Sequence, residues 1–156
     1  MVSRRSSRAR SDIDKNFSIT PATWLHDREA LQHVRRTVFV VEQGFPEHEE
    51  WDSADLTCVH VLILEGKRDA VGTGRLEATG KIGRLAILKP YRGLGLGSEL
   101  LEWLVAQARR QGLESVYLHA QLHALPFYLQ HGFLPEGPAF NEAGAAHQRM
   151  SRWLGP

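Results

Sequence analysis

Apolar positions recur along this chain with two periods. Leu96, Leu100, Leu101, Leu104, Val105 and Ala108 lie three to four residues apart, which predicts an amphipathic helix stopped at Gly112. Leu31, Val34, Val38 and Val41 share that spacing, with Asp27 as the expected N-cap and Gly44-Phe45-Pro46 as the stop after about Gln43. The end of that segment, Val38 to Val41, is β-branched and suits a strand as well as a helix. Shorter apolar runs predict strands over 57–65, 70–78 (thinned by Gly72 and Gly74) and 81–88, joined by a hairpin turn at 66–69 and a second turn at Thr79-Gly80. A first short strand is expected over 16–20, interrupted by Pro21. Further on, 115–120 reads as a strand and 123–131 as a short helix that tolerates Pro126 near its start. Phe133 opens another strand, and 146–153 is the last. Meandering strands followed by helix, strand, helix and strand predict an α+β domain over residues 16–156, built on one mixed sheet, behind a flexible basic tail over 1–15.

Charge narrows the function classes. Nineteen basic against eighteen acidic side chains leave a formal net charge of +1, so nothing global favours a nucleic-acid partner. The tail is locally basic at Arg4, Arg5, Arg8 and Arg10, but it lacks interleaved aromatics, and Asp12 and Asp14 follow at once. No apolar stretch approaches the ~20 residues that span a bilayer, and no secretory h-region follows Met1. The single cysteine, Cys58, excludes an internal disulfide and reads as a structural thiol in an apolar run. These features predict a cytoplasmic protein with no nucleic-acid or membrane partner. The histidine pairs His119/His123 and His26/His33, and His48 among its acids, lack a convincing third ligand, so no metal is expected. The acidic segment 47–55 has two readings: a solvated loop, or the wall of a groove that attracts a cationic amine. Trp51 within it either walls that groove or anchors the loop.

The richest chemistry lies at Tyr91-Arg92-Gly93-Leu94-Gly95-Leu96-Gly97-Ser98, between the expected strand at 81–88 and the long helix. The first amides of a helix have no backbone partner and carry the positive end of its dipole. Glycines let a phosphate approach the backbone, and an arginine fork adds charge-assisted contacts. A nucleotide P-loop needs Gly-x-x-x-x-Gly-Lys-Ser/Thr, and 74–81 does not match it. The dinucleotide fingerprint Gly-x-Gly-x-x-Gly fails because Gly93, Gly95 and Gly97 alternate. Arg92, Gly95 and Gly97 do match Arg/Gln-x-x-Gly-x-Gly/Ala. Downstream, Gln121, Ala124, Phe127, Tyr128, Gly132 and Phe133 fall in the register Asn-x-x-Ala-x-x-Leu/Phe-Tyr-x-x-x-Gly-Phe, with Gln in place of Asn.

These two motifs, in this order, resemble the GNAT superfamily of acyl-CoA N-acyltransferases. Val38 to Gly44, Glu50, Asp52, Phe140 to Gly144 and His147 to Met150 are similar to its small bacterial ElaA/YjcF-like branch. The resemblance implies the GNAT fold, a mostly antiparallel sheet splayed between its fourth and fifth strands and flanked by helices. It also implies an N-acetyltransferase that moves the acyl group of acetyl-CoA to a primary amine, small molecule or peptide, by direct attack in a ternary complex. The alternative on the same fold is a non-catalytic acyl-CoA-binding regulatory module. The pantetheine arm is expected in the splay, with the Leu85 amide on the thioester carbonyl and the Ala86 and Ile87 backbone along the arm. The pyrophosphate is expected on Arg92, Gly93, Leu94, Gly95, Leu96, Gly97 and Ser98, with Gln121, Phe127 and Tyr128 completing the cofactor site. Tyr128 is the expected general acid. The position where some relatives carry a glutamate base holds Lys81, so the base stays open among Glu42, Glu77, His119, Glu142 and His147, with His119 favoured by its place at the end of its strand. Glu42, Glu50, Trp51 and His147 are candidates for the acceptor side. A homodimer fits the resemblance too, since C-terminal strands of such folds often pair.

Overall fold

The computed structural model describes residues 16–156, so the expected tail over 1–15 lies outside the described residues. Strand β1 (Phe17–Ala22) runs through Pro21 instead of stopping at it. It is an edge strand, paired only with β2 (Val59–Glu65), where a missing N–H can face outward. β2 turns tightly into β3 (Asp69–Leu76), with Gly66 and Lys67 both at φ near +60° and the Arg68 N–H closing on the Glu65 carbonyl at 3.1 Å. β4 (Ile82–Ile87) completes an antiparallel sheet in the order β1-β2-β3-β4.

The second half forms another antiparallel set. β5 (Ser115–Gln121) pairs with the long β8 (Ala145–Trp153), which also carries the two-residue β6 (Leu134–Pro135) and the short β7 (Phe140–Glu142). The two sheets meet at a single parallel bridge, Lys81 to Tyr117, where the Tyr117 N–H donates to the Gly80 carbonyl at 3.1 Å. Beyond that point β4 and β5 share no ladder.

The helices cover both faces. Helix α1 (Trp24–Arg35) begins one turn before the expected Asp27. The Thr23 hydroxyl accepts from the His26 N–H at 3.2 Å, and Asp27 answers by accepting from the Thr23 N–H at 2.9 Å. Asp27 itself kinks the helix, at φ −115° and ψ 15°. The chain then widens into a π-helical segment, Arg36–Glu42, closed by the Gln43 N–H on the Val38 carbonyl. Val38 and Phe39 stay helical because they are buried with Ala86, a tertiary gain that outweighs β-branched preference. After the short helix α2 (Glu47–Glu50) and one 3₁₀ turn, Ser53–Leu56, the chain enters β2.

Helix α3 (Leu96–Arg110) lies on the opposite face. Its stripe, Leu96, Leu100, Leu101, Leu104, Val105 and Ala108, packs with Val61, Ile63, Val71, Val116 and Met150 in the main core. Leu62, between Val61 and Ile63, points the other way and is buried with Trp24 and Leu31, as a period of two requires. Helix α3 ends in a Schellman motif: Gly112 (φ +79°) donates to the Arg109 carbonyl and Leu113 to that of Ala108. Helix α4 (Leu125–Gln130) follows a 3₁₀ turn, Leu122–Ala124, so the short helix expected over 123–131 is split in two.

Candidate active site

The site grows out of an irregularity in β4. Thr73 pairs with Ala86 and Arg75 with Gly83, so Gly74 alone stands opposite Arg84 and Leu85. This is a β-bulge, and its extra residue takes the left-handed conformation: Arg84 lies at φ +51°. A non-glycine residue held there stores strain of about 1–3 kcal/mol. The bulge takes Leu85 out of register with β3 and turns residues 84–85 towards the parting of the two sheets.

A cavity of about 560 Å³ opens there. Arg84 and Leu85 line it from β4, Leu118, His119 and Gln121 from β5, and Tyr128 from α4. Glu142 and His147 close it from the β7–β8 hairpin, while Phe39, Gln43 and Phe45 close it from the π-helical side. The Gln121 amide donates to the Gln43 side chain at 2.9 Å, linking these two walls.

Two histidines share one carboxylate in the cavity. His119 Nδ1 lies 3.1 Å from Glu142 Oε1, and His147 Nε2 lies 3.9 Å from Glu142 Oε2. Because Glu142 can only accept, His119 carries its proton on Nδ1 and keeps Nε2 as the basic nitrogen. His147 Nδ1 donates to the Ala145 carbonyl at 2.8 Å, which turns its Nε2 towards Glu142. Phe140 packs edge-on against His119 and face-on against His147, fixing both rings. Burial alone would raise the Glu142 carboxyl, but the His119 hydrogen bond and the charges of His119, Lys81 and His147 together outweigh it and hold the group below the ordinary range.

Tyr128 sits edge-on to both Phe127 and Phe133, its ring half-buried. Desolvation pushes its phenol up to about 12, so it is protonated at any working pH.

The glycine loop forms a second, smaller cavity of about 280 Å³ against Ile87, Tyr91 and Phe127. Gly95, at φ +84°, is the N-cap of α3 and offers no side chain to the helix; a Cβ there would meet nothing within 4 Å. The first backbone bond of the helix runs from the Glu99 N–H to the Gly95 carbonyl, so the Leu96, Gly97 and Ser98 amides have no backbone acceptor. That donor set and open approach fit a diphosphate. Arg92 lines this opening, but its guanidinium is already engaged. It grips Glu42 at 2.7 and 2.8 Å and donates from Nε to the Ile87 carbonyl at 2.9 Å. The Ser98 hydroxyl lies 2.9 Å from His131 Nε2, and His131 Nδ1 lies 3.0 Å from Glu102, which also holds Arg152.

The acidic segment is divided: Glu47, His48 and Glu49 are exposed, Glu49, Glu50 and Asp52 line the larger cavity, and Glu50 and Asp55 are held in buried ion pairs. Glu50 and Asp55 are 6% and 1% exposed. Arg35, itself 1% exposed, donates from Nε to Glu50 at 2.8 Å and from Nη1 to Asp55 at 2.7 Å. Arg75 bridges Asp55 and Asp52 at 2.7–2.8 Å, and Arg84 leans on Glu50 and Asp52 at 3.1–3.4 Å. Burial lifts the Glu50 carboxyl above its ordinary value, whereas the Arg75 hydrogen bonds hold Asp52 down at about 2.

The structure therefore gathers most of the expected residues around two adjoining openings. Glu50, Leu85, His119, Gln121, Tyr128 and His147 line the larger. Ile87, Arg92, Gly93, Gly95, Leu96, Gly97, Ser98 and Phe127 line the smaller. Of the open base candidates, Glu77 also lines the larger cavity, while Glu42 lies outside it, paired with Arg92. Ala86 is buried in the core, and Leu94 is exposed on the loop. Trp51 stands away from the cavity, with Arg35 and Arg36 over its ring at 5.1 and 5.4 Å. Sequence reasoning missed Arg35, Arg75 and Arg84. The signal was present: guanidiniums inside apolar runs, near a cluster of carboxylates, are rarely buried unless paired.

Comparison with known proteins agrees with this geometry. Residues 39–154 match the model of the acetyltransferase (GNAT) domain family. The uncharacterised N-acetyltransferase YjcF of Bacillus subtilis is 34% identical over 124 residues, covering 77% of this chain and 88% of its own. Among solved structures, an acyl-CoA N-acyltransferase from Pseudomonas aeruginosa superposes with a TM-score of 0.77 at 30% identity, covering 87% of this chain and 99% of its own. Escherichia coli ElaA superposes with a TM-score of 0.78 at 28% identity, covering 87% of this chain and 99% of its own. The fold and the parted strands define an acyl-CoA-dependent acyltransferase architecture. The chain belongs to the GNAT acetyltransferase family, in the company of these small bacterial members.

Proposed function

We propose that the protein transfers an acetyl group from acetyl-CoA to a primary amine by direct attack in a ternary complex. The observation that carries this reading is the bulge at Arg84 and Leu85, opening onto the same cavity as Tyr128 and His119. The Leu96, Gly97 and Ser98 amides hold the diphosphate, and the pantetheine arm runs between β4 and β5 towards Leu85. The Leu85 N–H, out of ladder register, donates to the thioester carbonyl and stabilises the oxyanion.

The remaining steps are proton transfers. His119 Nε2 takes a proton from the acceptor ammonium, with Glu142 stabilising the imidazolium that results. The freed amine attacks the carbonyl carbon, the new C–N bond forms and the C–S bond breaks. Tyr128 passes its proton to the departing thiolate, and the proton that the new amide nitrogen must shed returns to the Tyr128 phenolate. Its raised phenol does not preclude this, because the desolvation that lifts a phenol also lifts the thiol leaving beside it. His147 and Glu50, which line the same cavity, serve the acceptor in this reading. Among the described residues no helix is long and apolar enough to cross a membrane, and no group of three or more candidate ligands could hold a metal ion.

The test is acetyl-CoA turnover across a panel of amines, read by thiol release. Transfer that falls ~10²-fold or more in His119→Ala supports the assignment. Acetyl-CoA binding with no transfer to any amine would reject it in favour of a non-catalytic acyl-CoA-binding module.

A further inference from the structure

Arg84 is the odd member of the buried charge network. Arg35 and Arg75 satisfy Glu50, Asp52 and Asp55 through bonds of 2.7–2.8 Å. Arg84 adds only long contacts, 3.1–3.4 Å, all from Nε and Nη2. Its Nη1 has no hydrogen-bond partner among the described residues. The side chain is 27% exposed and lines the large cavity, one residue from the Leu85 amide. Its backbone stays at φ +51° although the network would be nearly complete without it. Strain of that kind persists where the surroundings hold a residue in place, and it clusters at ligand clamps.

A second cation joins it. Lys81 lines the same cavity, near enough to Glu142 for its charge to help lower that carboxyl. The His119–Glu142 pair and His147 line it too, as do the carboxylates of Glu49, Glu50, Asp52 and Glu77. The cavity thus offers carboxylates and the His119 Nε2 to a cationic amine, and the free Arg84 Nη1 with the Lys81 ammonium to an anionic group. An acceptor carrying only an amine uses the carboxylates and the imidazole and leaves the Arg84 Nη1 without a partner.

Resting on the acetyltransferase reading, we infer that the acceptor is an amine that also bears a carboxylate, of the amino-acid type, with Arg84 gripping the carboxylate and Lys81 adding charge. A guanidinium meets a carboxylate with paired, parallel hydrogen bonds, which fix the amine's direction of approach as well as its affinity. A cavity of about 560 Å³ is the right size for a small molecule beside the thioester end of the donor.

The experiment compares matched acceptors, amino acids against their primary amides, in the full chain with saturating acetyl-CoA, and repeats the comparison in Arg84→Gly and Arg84→Lys. Glycine suits φ +51°, so that variant keeps the bulge while removing the guanidinium. The expected result is a ~10- to 100-fold higher kcat/KM for the carboxylated member, carried mainly by KM. The preference should collapse towards unity in Arg84→Gly and return in part in Arg84→Lys. Amides served as well as acids by the wild type, or a preference that survives in Arg84→Gly, would overturn the inference. Calorimetric titration of the same pairs into the complex with CoA reads the preference without turnover. Absence of thiol release therefore counts against the acetyltransferase reading, and absence of a binding difference counts against this one.

Discussion

The Arg92 guanidinium closes a two-pronged fork on the Glu42 carboxylate, Nη1 to Oε2 at 2.7 Å and Nη2 to Oε1 at 2.8 Å, tying the π-helical segment to the glycine loop fifty residues further on. The charge expected to meet a diphosphate is thus already engaged, and the hydrogen bonds from Arg92 hold the Glu42 carboxyl below its ordinary value. Both partners are about one-third exposed, so the pair adds little stability, at most about 1 kcal/mol. Replacing Glu42 with Gln removes a negative charge beside the polyanion site and frees the fork. CoA should bind a few-fold tighter in Glu42→Gln and ~10-fold more weakly in Arg92→Ala, with melting temperature nearly unchanged in both. Calorimetric titration with CoA checks this, and weaker binding in Glu42→Gln would show that the pair positions Arg92 instead of competing for it.

Arg35 is the keystone of the first half of the fold. It is buried under Trp24 and Trp51 and serves Glu50 and Asp55 at once. Arg35→Met keeps much of the volume but takes a buried cation from two buried carboxylates, leaving Asp55 to Arg75 and Glu50 to Arg84. The expected loss is about 3–5 kcal/mol, enough to remove much of the stability of a domain this size. Urea unfolding followed by circular dichroism measures it, and a loss below about 1 kcal/mol would mean that the carboxylates find other partners.

The same network makes stability fall in acid. Asp52 titrates near 2 in the folded chain against 3.8 ordinarily, and Asp55 is also lowered, because the Arg35 and Arg75 guanidiniums outweigh its burial. A carboxyl with a depressed folded value contributes stability above its unfolded value and loses it as pH falls through the folded one. The melting temperature should therefore drop between about pH 4 and pH 2, and less steeply in Asp52→Asn, which starts lower at neutral pH. Glu50 is shifted the other way by burial and blunts the slope at its upper end. Thermal melts at stepped pH, with and without the Asn substitution, resolve the contribution.

Tyr128→Phe removes the phenolic proton but keeps the ring against Phe127 and Phe133. Turnover should fall ~10²- to 10⁴-fold with CoA affinity retained. Because burial holds the phenol at about 12, the wild-type rate should show no decline attributable to Tyr128 through pH 10, where an unperturbed phenol would already be half ionised. A pH–rate profile at saturating acetyl-CoA is decisive on this point. Full activity in the Phe variant would remove Tyr128 from the mechanism.

Local pattern made part of this legible. The stripe from Leu96 to Ala108, the stop at Gly112 and the glycine loop repeat at short range, so the sequence locates them within a residue or two. Tyr128 was found by its register relative to Gly132 and Phe133. What escaped depends on residues distant along the chain. Arg35 meets Asp55 across twenty positions, and Arg75 meets Asp52 across twenty-three. No periodicity marks such pairs, so Glu50 and Asp55 read as part of a solvated or substrate-facing stretch while both lie buried. The bulge at Arg84 escaped for another reason: an arginine in the left-handed conformation runs against its own propensity and is set by pairing with β3. Thr23 displaced Asp27 as the cap because the two residues bond reciprocally, and that pair alone does not reveal which of them is the cap.

The most direct test is the crystal structure of the protein with acetyl-CoA. The account predicts the diphosphate on the Leu96, Gly97 and Ser98 amides, the pantetheine arm between β4 and β5, and the thioester oxygen within about 3 Å of the Leu85 nitrogen. A thioester lodged elsewhere, or a Leu85 N–H bonded back to β3 with the arm outside the cleft, would contradict it.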